Sequence, residues 1–173
     1  MRRAIFGTLI LALLPCLAQA QSDDYPKWHG YGYVGPGGKF ASSLRTRATL
    51  QIGVGLERYF TRRFGVSGDA GYAGRLGPGK FSSGWGMLSG NFVARFPRKD
   101  EEKKVEPFVT AGYTRIMDVG NRDYHGINFG AGFNWWVDKR AALRVEVRDH
   151  IQNLLSQGAP VHFLGLRIGV TFR

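Results

Sequence analysis

Charged residues at every second position of strand-like segments offer the clearest chemistry in this sequence. Arg144, Glu146 and Arg148 alternate with aliphatic residues, which places all three on one face of a strand. An unpaired charge inside a protein costs several kcal/mol, so charges on an enclosed face must pair with opposite charges. We therefore expect an internal salt-bridge network. Its predicted members are Glu57, Asp69, Arg95, Arg144, Glu146, Arg148 and Arg167.

The elements that must position these charges are β-strands. Apolar and polar residues alternate along most of the chain, most clearly from His162 to Phe172. The alternation predicts eight strands, at 28–35, 49–57, 64–75, 85–96, 106–118, 127–137, 143–150 and 162–172. Most exceed the ~5–6 residues usual for soluble strands and suit the ~9–11 residues that a tilted strand needs to cross a bilayer. The sequence thus predicts an all-β protein, an eight-stranded antiparallel up-and-down transmembrane β-barrel.

The composition of the two strand faces predicts which face meets lipid. One face carries large apolar residues, whereas the other mixes glycines with long charged side chains, as at Gly165, Arg167 and Gly169. The interior of an eight-stranded barrel is just wide enough to be filled by side chains, so each long side chain needs a small neighbour. We therefore assign the charged face to the lumen and the apolar face to the membrane.

Aromatic residues are expected in belts at the two membrane interfaces. The predicted periplasmic belt comprises Trp28, Tyr59, Phe60, Phe64, Phe96, Phe108, Trp135, Trp136 and Phe172. The predicted outer belt comprises Tyr72, Trp85 and Tyr124.

Short and long connections alternate along the chain. Turns are predicted at 61–63, 98–106 and 138–140, and longer loops rich in Gly, Ser or Pro at 36–46, 74–84, 119–124 and 153–160. Transmembrane barrels place short turns in the periplasm and longer loops outside. The first two loops are basic, and their cations are predicted to contact lipopolysaccharide phosphates. These cations are Lys39, Arg45, Arg75 and Lys80.

The chain begins with the features of an export signal. Its 173 residues carry a formal net charge of +11. Residues 1–20 combine two arginines, an apolar stretch and a final Ala-Gln-Ala, the form of a signal peptide that is cleaved after Ala20. Cleavage leaves a barrel domain at 21–173 without the single cysteine, Cys16. A strongly basic chain can indicate a nucleic-acid partner, but export makes that partner unexpected here.

Three segments carry a resemblance to a known family: PFVTAGYTR at 107–115, HGINFGAGFNWWVDKRAALRVEVRDHI at 125–151 and LGLRIGVTF at 164–172. Through them the chain resembles the small outer-membrane β-barrel proteins that include the OmpA membrane domain and the OmpX-like proteins. The resemblance implies an eight-stranded barrel in a Gram-negative outer membrane. It also implies insertion by the barrel-assembly machinery, which reads a C-terminal aromatic residue; Phe172 is penultimate here.

The predicted function is a non-enzymatic outer-membrane barrel with a structural or surface-interaction role, a plugged lumen and an unknown protein partner. One alternative is a lipid A-modifying enzyme of the deacylase type, for which His150, Asp149 and Ser156 are the cross-strand candidates. The other is a soluble periplasmic carrier of the lipocalin type, which needs the apolar face inside. No metal-ligand spacing or phosphate-binding loop is present, so no metal or cofactor is expected.

Overall fold

A computed structural model describes residues 27–41, 44–75, 84–97, 104–118, 123–152 and 160–173. The predicted signal peptide at 1–20 lies outside these residues, as does most of the predicted loops at 74–84, 119–124 and 153–160. Among the residues that are described, no helix is long and apolar enough to cross a membrane.

The described residues form a closed antiparallel barrel in which each strand pairs with the next along the chain. The strands are β1 (Trp28–Ala41), β2 (Leu44–Tyr59), β3 (Phe64–Arg75), β4 (Gly84–Arg95), β5 (Val105–Asp118), β6 (Asp123–Trp136), β7 (Ala141–Gln152) and β8 (Val161–Phe172). Pairing of β8 with β1, for example Phe172 opposite Gly30, closes the barrel. The predicted fold class is confirmed.

The two ends of the barrel differ in their connections. The end that holds Trp28 and Phe172 is here called the turn end. Its β2–β3 turn is held by Thr61, whose Oγ1 accepts hydrogen bonds from the backbone N–H groups of Arg63 at 3.1 Å and Phe64 at 2.8 Å. Hydroxyl groups commonly stabilise tight turns in this way. The opposite end, where β1 ends and β2 begins, is here called the loop end.

The predicted loop at 36–46 is wrong, because both strands continue through most of it. β1 extends to Ala41 and β2 begins at Leu44, and Gly37 pairs with Thr49. Pro36 removes one backbone donor, and the described pairing of β1 with β8 passes from Val34 directly to Gly37. The strand nevertheless continues because its other edge stays paired with β2.

The wall of the barrel is apolar outside and polar inside, as the face compositions predicted. On β7, Val147 is 50% exposed on the outer surface, whereas its neighbours Glu146 and Arg148 are 0% exposed. β8 follows the same rule, with Leu166 and Ile168 outside and Arg167 inside. An outward apolar surface matches a lipid environment.

Part of the predicted aromatic belts is wrong, because several members face the lumen. Tyr59 and Phe108 are each only 2% exposed. Trp136 contacts buried residues, whereas Trp135 beside it is 49% exposed. Adjacent residues of a strand point to opposite faces, so two aromatic residues that are neighbours in the sequence cannot both face the lipid. At the loop end, Trp85 also packs inward. The outward members that remain at the turn end are Trp28, Phe60, Phe64, Phe96, Trp135 and Phe172.

Candidate functional site

Glycines on β2 make room for two tyrosine rings in the lumen. A Cβ atom on Gly53 would lie 2.5 Å from Cζ of Tyr33, and one on Gly55 would overlap the ring of Tyr31. Both tyrosines come from β1 and are 4% exposed. The small residues on one strand therefore allow large flat side chains on its neighbour, and these rings become surfaces on which arginines stack.

Arg144 joins two carboxylates across the lumen. Its Nη1 donates to Oε1 of Glu57 at 2.9 Å, and its Nε donates to Oε2 of Glu146 at 3.3 Å. The guanidinium carbon lies 4.2 Å from the ring centroid of Tyr31 and 4.0 Å from that of Phe108. The planar guanidinium group thus donates hydrogen bonds from its edges and stacks on aromatic rings with its faces. A lysine ammonium group could not make both kinds of contact in this way.

Arg148 and Arg167 share one carboxylate. Nε of Arg148 donates to Oε1 of Glu146 at 2.6 Å, and its Nη1 donates to Oδ2 of Asp69 at 3.4 Å. Arg167 forms an ion pair with the other oxygen of Asp69 at 3.5 Å and stacks over Tyr33 at 4.2 Å. The ion pairs therefore run continuously from β2 through β7 to β3 and β8.

The charges in this part of the lumen cancel. Three carboxylates and three guanidinium groups take part, and every one of these side chains is at most 2% exposed. We call this set the central cluster: Glu57, Asp69, Arg144, Glu146, Arg148 and Arg167. The pairing of opposite charges offsets much of the cost of burying these ions.

Neutral side chains occupy further hydrogen-bonding positions of the central cluster. Nδ2 of Asn91 donates to Oδ2 of Asp69 at 2.9 Å, and Nδ2 of Asn128 donates to Oδ1 of Asn91 at 2.7 Å. Oδ1 of Asn128 accepts a hydrogen bond from Nη1 of Arg148 at 3.1 Å. Each amide thus links a charged group to another polar group.

His150 belongs to this network, whereas the sequence offered it only as a candidate catalytic residue. Nη2 of Arg167 lies 3.0 Å from its Nε2, and Oγ1 of Thr114 lies 2.9 Å from its Nδ1. A guanidinium group can only donate. Nε2 therefore accepts from Arg167, and Nδ1 carries the proton and donates to Thr114. The imidazole is neutral in this arrangement.

The seventh predicted residue, Arg95, lies in a separate cluster toward the turn end. Its Nε donates to the carbonyl oxygen of Arg62 at 2.8 Å, and its Nη1 lies 3.7 Å from Oε2 of Glu106. Its guanidinium group stacks over Tyr59 at 3.9 Å. The alternation of residues identifies the face of a strand but not the height along the barrel axis, so the sequence grouped Arg95 with the others.

His29 is a further lumen residue that sequence reasoning missed. It is 0% exposed, and its Nδ1 lies 3.8 Å from Oε2 of Glu57. Its ring contacts those of Tyr59 at 5.0 Å and Trp136 at 5.6 Å. Glycine and proline interrupt the outward positions of β1 at Gly30, Gly32 and Pro36, so the strand shows no clear apolar face from which an inward histidine could be recognised.

The lumen becomes apolar at the loop end. Met87, Ile116 and Phe163 are buried there with Ala73, and Trp85 packs against them. Phe163 and Trp85 contact each other edge to face at 5.2 Å. We call this set the apolar mouth: Ala73, Met87, Trp85, Ile116 and Phe163. A cavity of about 20 Å³, enough for a single water molecule, remains beside it.

The four cations predicted to contact lipopolysaccharide have different positions. Lys39 lies in β1 rather than in a loop, and its Nζ is 5.1 Å from the ring centroid of Phe163 and 5.9 Å from that of Trp85. It therefore covers the apolar mouth. Arg45 and Arg75 lie in β2 and β3 near the loop end, and Lys80 is outside the described residues.

The candidate catalytic residues do not come together. Asp149 and His150 are neighbours in β7 and face opposite sides of the wall. His150 is in the lumen, while Oδ2 of Asp149 lies 2.7 Å from Nδ1 of His162 outside. Ser156 is outside the described residues. Within the described part of the chain, no group of three or more His, Cys, Asp or Glu side chains could hold a metal ion.

A closed eight-stranded barrel with an apolar wall and a charged interior defines the class of small outer-membrane β-barrels. The profile of the outer membrane protein beta-barrel domain family matches residues 8–173, and the chain belongs to this family. The resemblance found in the sequence is therefore confirmed, and the family places the protein in the bacterial outer membrane. A search of curated proteins found no match.

Solved structures show the same fold. Neisserial surface protein A (NspA) superposes with a TM-score of 0.68 at 12% identity, covering 85% of this chain and 97% of that chain. The N-terminal barrel domain of Pseudomonas aeruginosa OprF gives a TM-score of 0.59 at 13% identity, covering 84% and 98%. Ail, the attachment invasion locus protein of Yersinia pestis, gives a TM-score of 0.52 at 13% identity, covering 84% of this chain and 97% of that chain.

Proposed function

We propose that this protein is a non-enzymatic outer-membrane barrel whose lumen is closed and whose loop end acts at the cell surface. The observation that carries the proposal is the central cluster, in which six paired charges fill the lumen at the middle of the wall. A barrel filled in this way offers its outer surfaces and loops, rather than its interior, for interaction.

The closed lumen is supported by two successive obstructions along the axis. The central cluster occupies the middle, and the apolar mouth with Lys39 above it occupies the loop end. A hydrated ion crossing the barrel would have to break several ion pairs and then enter an apolar constriction. Both steps are unfavourable.

A soluble carrier with an apolar interior is disfavoured by the facing of the strands. Leu164, Leu166 and Val170 are 37–43% exposed on the outer wall. A lipocalin-type carrier would need these side chains to line a cavity. The wall instead suits an integral membrane protein.

A lipid A-modifying enzyme is disfavoured by the separation of Asp149 and His150 on opposite faces. Asp149 and His162 form a pair on the outer wall, but nucleophilic catalysis also requires a hydroxyl or thiol within hydrogen-bond reach of the base. Mass analysis of lipid A from cells with and without the protein tests this alternative. A changed acyl pattern would contradict the non-enzymatic assignment.

The surface role is supported by the names of two structural neighbours, a surface protein and an attachment and invasion protein. With the turn end in the periplasm, as is usual for such barrels, the loop end faces outward. There we propose that Arg45, Arg75 and Lys80 contact lipopolysaccharide phosphates. Lys39 is a weaker candidate because its amino group lies over aromatic rings. We also propose insertion by the barrel-assembly machinery after removal of the signal peptide.

Single-channel recording in planar lipid bilayers tests the closed lumen. We expect no stepwise conductance from the folded wild-type barrel, because a hydrated ion would have to break the ion pairs of the central cluster. The variant E57A/R144A removes one ion pair without changing the net charge and should increase brief openings. Regular long-lived steps from the wild-type protein would contradict the proposal.

A further inference from the structure

The turn end carries a ring of exposed cations that the function proposed above does not use. Besides Lys27, seven described arginines and lysines are exposed there, in the turns or at the strand ends. We call this set the basic rim: Arg58, Arg62, Arg63, Lys104, Lys139, Arg140 and Arg173. Asp138 is the only exposed acidic residue among the described residues of this end.

The basic rim is not neutralised by the rest of the described chain. The ion pairs between described residues lie in the lumen or near the loop end, and none involves a member of the rim. By sequence, residues 98–103 between β4 and β5 comprise three basic and three acidic residues, so their net charge is zero. Asp23 and Asp24 add two negative charges. The excess of positive charge therefore remains.

Outward aromatic side chains set the height of the rim relative to the membrane. Trp28 is 52% exposed and Trp135 is 49% exposed on the outer wall at the turn end. Tryptophan at such positions sits at the level of lipid headgroups. The guanidinium group of Arg58 lies 5.3 Å from the ring centroid of Trp28. The basic rim thus lies at, or just beyond, the plane where lipid phosphates are found.

The turn end also holds its terminal arginine in a fixed position. The guanidinium carbon of Arg173 lies 3.9 Å from the ring centroid of Trp136, and its Nε donates to the carbonyl oxygen of Lys139 at 2.7 Å. Arg173 thereby joins the β6–β7 turn, which contributes Lys139 and Arg140. Because Trp136 faces the lumen, the guanidinium group of Arg173 lies at the opening of the barrel, beside the turn that carries Lys139 and Arg140.

We propose that the basic rim binds the headgroups of anionic glycerophospholipids in the leaflet around the turn end. The two requirements for such binding are both present: positive charge close to the surface, and an aromatic and apolar wall that fixes the depth of the barrel. Arginine suits the phosphodiester because its donors can engage two oxygens. The contact would favour anionic over zwitterionic neighbours in the annular lipid.

Quenching by brominated lipids tests the proposal. The full barrel is reconstituted in phosphatidylcholine vesicles that contain the same fraction of brominated phosphatidylglycerol or brominated phosphatidylcholine. The bromine atoms quench lipid-facing tryptophans, and Trp28 and Trp135 lie beside the rim. Each cation engaged with the surface favours an anionic lipid by about fivefold. We expect several-fold stronger quenching by brominated phosphatidylglycerol, and a weaker preference at high salt.

A matched pair of variants assigns the preference to the rim. R62Q/R140Q removes two rim cations and should abolish most of this several-fold preference. K39Q/R115Q removes two cations near the loop end and should leave the preference unchanged. Heat-modifiable gel migration checks that each variant is folded. Excess glycerol 3-phosphate should not abolish the preference, since a membrane-anchored headgroup is favoured over a free phosphate.

Three outcomes would overturn the proposal. The first is equal quenching of the wild-type protein by the two brominated lipids. The second is an equal loss of preference in both double variants, which would indicate net charge rather than the rim. The third is binding to purified cell-wall sacculi without any lipid preference, which would assign the rim to a wall polymer.

Discussion

The central cluster and the apolar mouth fill the same lumen by opposite means. In the central cluster, Arg148 and its partners are held by ion pairs and hydrogen bonds. In the apolar mouth, Met87 is held by packing among apolar side chains, and Phe163 adds only a cation–π contact with Lys39. Ion pairs depend on both partners, whereas packing depends on volume. The centre should therefore be intolerant of any loss of charge, and the mouth should accept other residues of similar size.

The largest expected effect is that of Glu146→Ala in the central cluster. Glu146 accepts hydrogen bonds from both Arg144 and Arg148. Its removal therefore deprives two buried guanidinium groups of one carboxylate partner each. We expect the free energy of unfolding to fall by roughly 3–5 kcal/mol, measured as a shift of the urea midpoint in lipid vesicles. Val147→Ala, on the outer wall beside it, is the control and should shift the midpoint much less. An unchanged midpoint for Glu146→Ala would show that the cluster does not stabilise the barrel.

Glycine substitution tests how closely the central cluster is packed. A Cβ atom on Gly130 would lie 2.7 Å from Oε1 of Glu146 and 2.7 Å from Oγ1 of Thr110. Overpacking of this kind costs ~1–3 kcal/mol, so Gly130→Ala should lower the urea midpoint. Gly90 is a matched control, because nothing lies within 4 Å of the position of its Cβ atom.

Equal midpoints for Gly130→Ala and Gly90→Ala would show that the ion pairs move aside without cost. In that case the central cluster would be as adaptable as the apolar mouth, and the contrast between them would fail.

Much of this architecture follows from alternation in the sequence. The sequence predicts eight strands, their antiparallel closure and the inward face of Arg144, Glu146 and Arg148, because a strand has a period of two and the two faces differ in size and charge. Strand ends were less predictable. The glycines near Pro36 suggested a loop, but pairing with β2 continues through them.

The division of the lumen into layers could not be read from one strand at a time. Whether Arg95 meets Asp69 or Glu106 depends on the stagger between strands, which only the pairing of the whole barrel determines. The same reasoning explains why the sequence did not assign His150 to the network. Its partners Thr114 and Arg167 come from β5 and β8, and no local pattern relates those positions.

A milder effect is expected in the apolar mouth when volume is conserved. Met87 is 2% exposed among apolar neighbours. Met87→Leu keeps nearly the same volume and should cost less than ~1.5 kcal/mol, whereas Met87→Ala should cost ~2–5 kcal/mol because it leaves a cavity. Urea midpoints of the two variants separate these cases. If Met87→Leu were as damaging as Met87→Ala, the mouth would be as specific as the centre.

The smallest effect is expected at Lys39, a charged residue that packs on the aromatic rings of the apolar mouth. Its amino group lies over Phe163 and Trp85, and its alkyl chain can cover the same rings. Lys39→Met keeps the length and the apolar part of the side chain and removes only the cation–π attraction, which is worth ~0.5–1 kcal/mol at such sites. The urea midpoint should therefore fall only slightly. Lys104→Met, at an exposed position of the turn end, is the control, and the loss of unfolding free energy in Lys39→Met should exceed that of the control by no more than ~1 kcal/mol. A loss as large as that of Glu146→Ala would mean that Lys39 has an essential ionic role, and that the mouth, like the centre, is held by charge.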